Sequence, residues 1–92
     1  MLFFVIETFR NQDGRAVYRR FRDKGRMMPE GLTYHASWIA ADLSRCFQVM
    51  ECEELGLLQS WVGQWSDLAE FEIVPVQTGK DTATALAPYL DT

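Results

Sequence analysis

The sequence predicts an α+β fold in which four antiparallel strands form one sheet and two helices cover one of its faces. Short runs rich in branched and aromatic residues alternate along the chain with two segments whose apolar residues recur at helical spacing. Proline, glycine and small polar residues separate these runs. Since the chain has 92 residues, of which 48% are hydrophobic, it can build one modest core, and we expect a single domain.

The first strand and the first helix follow from residues 2 to 24. Residues 2 to 8 (LFFVIET) are apolar at both odd and even positions, which predicts a strand covered on both faces. Asn11 or Asp13 can cap a helix that runs to about Lys24 and stops at Gly25. The helix side chains expected to face the sheet are Val17, Tyr18 and Phe21.

A hairpin is predicted after the loop RMMPEG, because LTYHASWIA and RCFQVMEC flank a turn at residues 42 to 44. If Leu43 faces Ser44 in that turn, His35 faces Cys52 across the hairpin. This register predicts that one sheet face carries Tyr34, Ala36, Trp38, Ala40, Phe47 and Val49. It predicts that the other face carries His35, Ser37, Ile39, Cys46, Gln48, Met50 and Cys52.

A second helix is predicted from Glu53 or Glu54 to about Trp65, and a fourth strand from residues 70 to 77 (EFEIVPVQ). The predicted inward stripe of the helix is Leu55, Leu58, Val62 and Trp65, with Leu57 and Trp61 beside it. In the strand, glutamates alternate with Phe71 and Ile73. Pro75 marks an edge position, because proline cannot donate a hydrogen bond to a sheet.

The order strand, helix, strand, strand, helix, strand is that of ferredoxin-like domains. It assigns residues 1 to 78 to the domain and residues 79 to 92 to a C-terminal tail. In the tail, Asp81 or Thr82 can cap one or two helical turns that end at Pro88, and this short helix could pack on a partner subunit.

Two helices on one side leave the other sheet face uncovered, although its strands are apolar on both faces. We expect a homodimer in which two such faces stack around a twofold axis. The alternative is that the tail folds back over its own sheet.

The expected location is the cytoplasm, with no membrane partner. No apolar run approaches the length of a membrane span, and the N-terminal LFFVI lacks the basic flank and the length of a signal peptide. Cys46 and Cys52 lie too far apart on one strand to form a disulfide with each other, which fits a reducing compartment.

Nucleic acid is not expected as a partner, even though seven of the nine basic residues lie between Arg10 and Arg26. Arg15, Arg19, Arg22 and Arg26 share one helical stripe, which is the pattern that suggests an RNA-binding face. The chain nevertheless has a net charge of -4, and RCFQVMEC lacks the glycine and second aromatic residue of an RNA-stacking strand. A solvated helix face explains the stripe.

The candidate ligand pocket consists of Trp38, His35, Trp61, Trp65, Asp67 and Tyr34. The tryptophans could wall an apolar site between the second helix and the sheet. The alternatives remain that each tryptophan fills the core and that Asp67 holds a tight turn. Because His35 and Cys52 alone make a poor ligand set, we predict neither a metal nor a cofactor.

The segments WIAADLSRCFQVMECEE and WSDLAEFEIVPV resemble a small bacterial family of unknown function within the dimeric α/β-barrel, ferredoxin-like superfamily. The resemblance covers residues 1 to 77. Its signals are Trp38, the strand from Phe47 to Glu51, Trp61, Trp65, Asp67, Leu68, Phe71, Glu72, Pro75 and Val76. Wider relatives include cofactor-free monooxygenases, haem-degrading proteins and isomerases. The pattern of asparagine, tryptophan and histidine found in such monooxygenases is hard to build here, because the sole asparagine, Asn11, lies at a helix start.

The function expected from these features is that of an uncharacterised homodimeric α/β-barrel protein that binds a small molecule or serves as a structural module. No catalytic set can be read from the sequence. The alternative is a cofactor-independent monooxygenase- or isomerase-like enzyme that acts on a small apolar substrate.

Overall fold

The computed structural model describes residues 1–91 and confirms the α+β fold, with a four-stranded antiparallel sheet in ferredoxin-like order. The sheet order is β2-β3-β1-β4. The elements are β1 (Leu2–Phe9), α1 (Gly14–Lys24), β2 (Thr33–Ile39), β3 (Arg45–Glu51), α2 (Leu55–Trp65), β4 (Ala69–Val76) and α3 (Gly79–Leu86). Pro75 lies in the edge strand β4, as predicted.

The central strand β1 separates two surfaces. Its odd-numbered residues from Phe3 to Phe9 are buried on the face that the helices cover. Its even-numbered residues Leu2, Phe4 and Ile6 lie on the other side and are only half-buried. We call that side the open face. It also carries Trp38, Phe47, Val49, Val74 and Val76, which follow from the strand register.

The predicted hairpin register was wrong by two residues. Trp38 pairs with Phe47 and Ile39 with Cys46, because the hairpin closes with the Ala40 amide donating to the Arg45 carbonyl. A shift of two keeps side chains on the same face, so the face assignments of residues 36 to 39 hold.

A bulge at His35 corrects the other end of β2. It places Tyr34 opposite Met50, on the helix side of the sheet rather than with Trp38. His35 does not face Cys52 as predicted. Its Nε2 lies 2.9 Å from Glu51 Oε1 instead.

The helices begin and end close to the predicted positions. Asp13 caps α1 by accepting a hydrogen bond from the Ala16 amide, and Gly25 ends the helix with a φ of 69°. The buried stripe of α2 consists of Leu58, Trp61 and Trp65. Leu55, predicted to face inward, is 52% exposed, because at 100° per residue it lies about 90° away from the centre of that stripe.

The C-terminal tail forms α3 and a short 3-10 turn, Ala87–Tyr89. Thr78, rather than Asp81 or Thr82, is the cap, since its Oγ1 accepts a hydrogen bond from the Asp81 amide. Every described residue from Val74 onward is exposed, and the molecule measures 52 × 31 × 17 Å. The tail therefore extends from the sheet instead of folding back over it.

No helix within residues 1–91 combines the length and apolar character needed to cross a membrane.

Candidate functional site

A cavity of about 140 Å³ lies between α1 and the helix side of the sheet. The start of α1 is pressed against the β-sheet, since a Cβ at Gly14 would lie 3.0 Å from the Leu43 carbonyl and 3.2 Å from the Phe9 ring. Further along, Arg20 makes a double hydrogen bond to Asp67 at 2.8 and 2.6 Å. These contacts fix α1 in place, and the cavity lies beneath the helix.

The cavity has mainly apolar walls. They are formed by Phe9, Val17, Tyr18, Phe21, Ile39, Trp61 and Trp65. Tyr18 and Phe21 were expected to pack on the sheet, yet they are 52% and 39% exposed. Both line the cavity while remaining open to solvent, so they form its rim.

The sheet contributes a polar floor. Glu7 and Gln48 are 4% and 5% exposed, and Gln48 Nε2 donates a 2.7 Å hydrogen bond to Glu7 Oε2. Burial raises the pKa of the Glu7 carboxyl, while the bond from Gln48 works in the opposite direction. Gln48 Oε1 is buried and has no hydrogen-bond partner among the described residues. An acceptor left in that state costs about 1–3 kcal/mol.

Cys46 lies beside Glu7 on the same floor. Burial, together with the nearby Glu7 charge, raises the pKa of the Cys46 thiol to about 12. The thiol therefore stays protonated at neutral pH and is a poor nucleophile, since the thiolate is the reactive form.

Arg26 contributes the cationic group of the site. Its guanidinium carbon lies 3.7 Å from the centre of the Tyr34 ring and 5.0 Å from that of Phe21. Its Nη2 makes a long 3.5 Å hydrogen bond to Ser37 Oγ. No carboxylate pairs with Arg26 among the described residues.

Two of the predicted pocket residues, Trp61 and Trp65, line the cavity. Both are almost fully buried, and both indole N–H groups donate 3.0 Å hydrogen bonds to the Arg26 carbonyl. The tryptophans are therefore core residues and cavity walls at once. They also fix the backbone from which the Arg26 side chain extends.

The other four predicted residues do not line the cavity. Trp38 is 57% exposed on the open face, and His35 pairs with Glu51 at the surface. Asp67 is exposed and bonded to Arg20, whose hydrogen bonds hold the pKa of that carboxyl below its usual value. Tyr34 lies behind Arg26, and its hydroxyl is 2.6 Å from Ser37 Oγ.

Sequence reasoning did not select the five polar lining residues Glu7, Arg26, Ser37, Cys46 and Gln48 as site residues. The available signal was alternation: Glu7 continues the buried odd positions of an apolar strand. Ser37, Cys46 and Gln48 were already assigned to one sheet face. A buried acid among polar neighbours on one face is typical of a site.

The predicted basic stripe is divided in the structure. Arg15, Arg19 and Arg22 are exposed on α1, and Arg22 pairs with Asp23. Arg26 lies beyond the end of α1 and lines the cavity. The four arginines therefore do not form one continuous surface.

A second, more open hollow near the start of α2 is lined by Glu51, Glu53 and Glu54. Within residues 1–91, no group of three or more histidine, cysteine, aspartate or glutamate side chains is arranged to hold a metal ion.

Residues 1–90 match a protein family described as a domain of unknown function (DUF3303). The match includes α3, beyond the segment in which the sequence itself showed a resemblance. No curated protein and no solved structure matches the chain.

Proposed function

This chain belongs to the DUF3303 family of domains of unknown function, and from that starting point we propose that it binds a small, largely apolar molecule in the cavity beneath α1. The observation that supports this most strongly is the buried Glu7–Gln48 pair on the floor of a cavity whose walls are mainly apolar. Burying two such groups costs stability. Ligand pockets commonly combine apolar walls with a few polar groups of this kind.

The size of the cavity limits the ligand. A protein cavity of roughly 150 Å³ accommodates benzene, and this cavity measures about 140 Å³. We therefore expect a compound with one six-membered ring. A polar hydrogen on the ligand would also give Gln48 Oε1 the donor that it lacks.

A cavity-filling substitution tests the proposal. Phenol at saturating concentration should shift the NMR resonances of residues around the cavity and raise the melting temperature. Val17→Phe should abolish both effects by occupying the space. The matched control is Val76→Phe, on the open face, which should retain them. If no single-ring compound binds and Val17→Phe stabilises the protein, the domain is a structural module with an imperfectly filled core.

A second candidate function, proton transfer on a bound carbon acid, is favoured by Glu7. A buried carboxyl with a raised pKa is, once ionised, a stronger base than an exposed one and can accept a proton from a bound ligand. Cys46 remains a thiol and takes no nucleophilic part. If this candidate holds, cyclohexanone in D2O should exchange its α-protons faster with the protein, and Glu7→Gln should remove the acceleration. No acceleration would leave binding alone.

We further propose that two copies pair through their open faces. The chain has an accessible surface of 6390 Å², whereas a compact monomer of this mass exposes about 5,500 Å². Its radius of gyration is 15.6 Å, against about 12 Å for a compact chain of this length. The excess of about 900 Å² is comparable to what one partner contributes to a standard interface, about 800 Å².

The tail supplies much of that excess. Leu86 and Leu90 are 48% and 72% exposed, and an isolated helix of eight residues is unstable in water. A second copy that covers both the open face and α3 would stabilise them together.

Light scattering during size-exclusion chromatography should give a dimer mass. Trp38→Glu and truncation after Thr78 should each weaken the dimer. Leu55→Glu, an exposed site outside the open face, is the control that should not. A monomer at high protein concentration would overturn the pairing.

A further inference from the structure

Arg26 differs from the arginines that are paired with acids. Arg10, Arg20 and Arg22 each lie within 3.2 Å of a carboxylate oxygen. Arg26 has no such partner among the described residues, where its one side-chain hydrogen bond is the long contact to Ser37. Since a guanidinium carries five N–H donors, most of the donors of Arg26 have no acceptor within residues 1–91.

The position of Arg26 is fixed although its donors are unused. Its carbonyl accepts hydrogen bonds from both Trp61 and Trp65. Its guanidinium lies over Tyr34 and near Phe21. The charge is thus held at the cavity wall before any ligand arrives, which reduces the entropy lost on binding. A planar guanidinium held in this way is suited to a carboxylate, which it can bind through two parallel hydrogen bonds.

Given that the cavity is a binding site, as proposed above, we infer that its preferred ligand is a single-ring organic acid whose carboxylate pairs with Arg26 while the ring occupies the apolar part of the cavity. The ring contacts Trp61 and Trp65, and the anionic end remains near the rim.

The buried acid on the floor is compatible with an anionic ligand. Burial favours the neutral form of Glu7, because it raises the pKa of that carboxyl. Besides Arg26, the titratable groups that interact electrostatically with Glu7 are Cys46 and Tyr18. Cys46 stays neutral at neutral pH. When Glu7 is protonated, Arg26 is therefore the charged side chain that a ligand contacts among the described lining residues.

Three ring compounds of nearly equal size test this inference by isothermal titration calorimetry. They are benzoate, benzamide and benzylamine, which are anionic, neutral and cationic near neutral pH. The wild-type protein should bind benzoate most tightly and benzylamine most weakly. Arg26→Gln should weaken benzoate binding about tenfold or more, while benzamide binding changes little. Arg26→Lys should restore part of the benzoate affinity, because it keeps the charge but loses the planar group.

Arg19→Gln is the matched control, because it removes one positive charge from the exposed surface of α1 without touching the cavity. It should leave the order of the three ligands unchanged. Equal binding of benzoate and benzamide by the wild type would overturn the inference while leaving the cavity as a binding site. Binding of none of the three would overturn both. If Arg26→Gln fails to fold, the wild-type ligand order and Arg26→Lys still decide the matter.

Discussion

The shared carbonyl of Arg26 gives a stability prediction that can be worked out from the structure. Trp61 and Trp65 each donate a 3.0 Å hydrogen bond to this one oxygen. Replacing either tryptophan by phenylalanine removes one bond, worth about 1 kcal/mol, and leaves the carbonyl with the other partner. Replacing both leaves it facing two hydrocarbon rings.

The double substitution should therefore cost more than the sum of the single ones. An unsatisfied group costs about 1–3 kcal/mol when fully buried, and this site is partly buried, so we expect an excess of about 1 kcal/mol. The smaller rings also destabilise each variant. In a double-mutant cycle, which subtracts the two single costs from the double cost, that contribution cancels to the extent that the two sites relax independently.

Urea unfolding followed by far-ultraviolet circular dichroism measures the four free energies without relying on tryptophan fluorescence. A second cycle that combines Trp61→Phe with Trp38→Phe is the control, because Trp38 lies on the opposite sheet face. That pair should be additive. If the Trp61–Trp65 pair is also additive within about 0.5 kcal/mol, the two indoles do not share an acceptor in solution.

Three further predictions concern charge and backbone geometry. The folded state holds the Glu7 proton more tightly than the unfolded chain does. The stability that this group contributes is therefore complete below about pH 4.5 and falls as the pH rises through the folded pKa. In urea unfolding measured from pH 4 to pH 8, Glu7→Gln should gain stability relative to wild type as the pH rises, and a constant difference would contradict this. Gly31→Ala should lower the melting temperature, at a cost of about 1–3 kcal/mol, because Gly31 has a φ of 95° and a Cβ there would lie 2.9 Å from a leucine of α2. The control is Gly63→Ala within α2, where a Cβ meets no atom within 4 Å. This control should gain about 0.5 kcal/mol of stability. Arg20→Gln should raise the depressed pKa of Asp67 towards 3.8, as carboxyl NMR titration would report, and an unchanged value would show that the pair is not formed in solution.

The fold could be predicted from sequence because each element carries its own local pattern. Alternating glutamates mark β4, apolar residues at helical spacing mark α2, and Gly25 ends α1 where the pattern stops. The hairpin register could not be fixed in the same way, since it depends on the Ala40–Arg45 closure and on a bulge at His35. Neither feature leaves a distinct signal in the residue types.

The site was harder to predict because it exists where packing is incomplete. Helical spacing correctly put Val17, Tyr18 and Phe21 on the side of α1 towards the sheet, but spacing does not give the distance between helix and sheet. Trp61 and Trp65 were found because they are large and apolar. Glu7 was passed over because one acid in an apolar strand looks like a surface position until both faces of that strand are known.

The side chains of β1 alternate between the cavity and the open face, so one strand sets the composition of both surfaces. Glu7 contributes to the cavity, and its neighbour Ile6 contributes to the surface on which a second copy would rest. The two environments are only one peptide unit apart. An insertion or deletion of a single residue in β1 would exchange them, exposing the acid to the apolar side and sending an isoleucine into the cavity. A one-residue change in the length of β1 should therefore be more damaging than a substitution that keeps the polarity of the side chain it replaces.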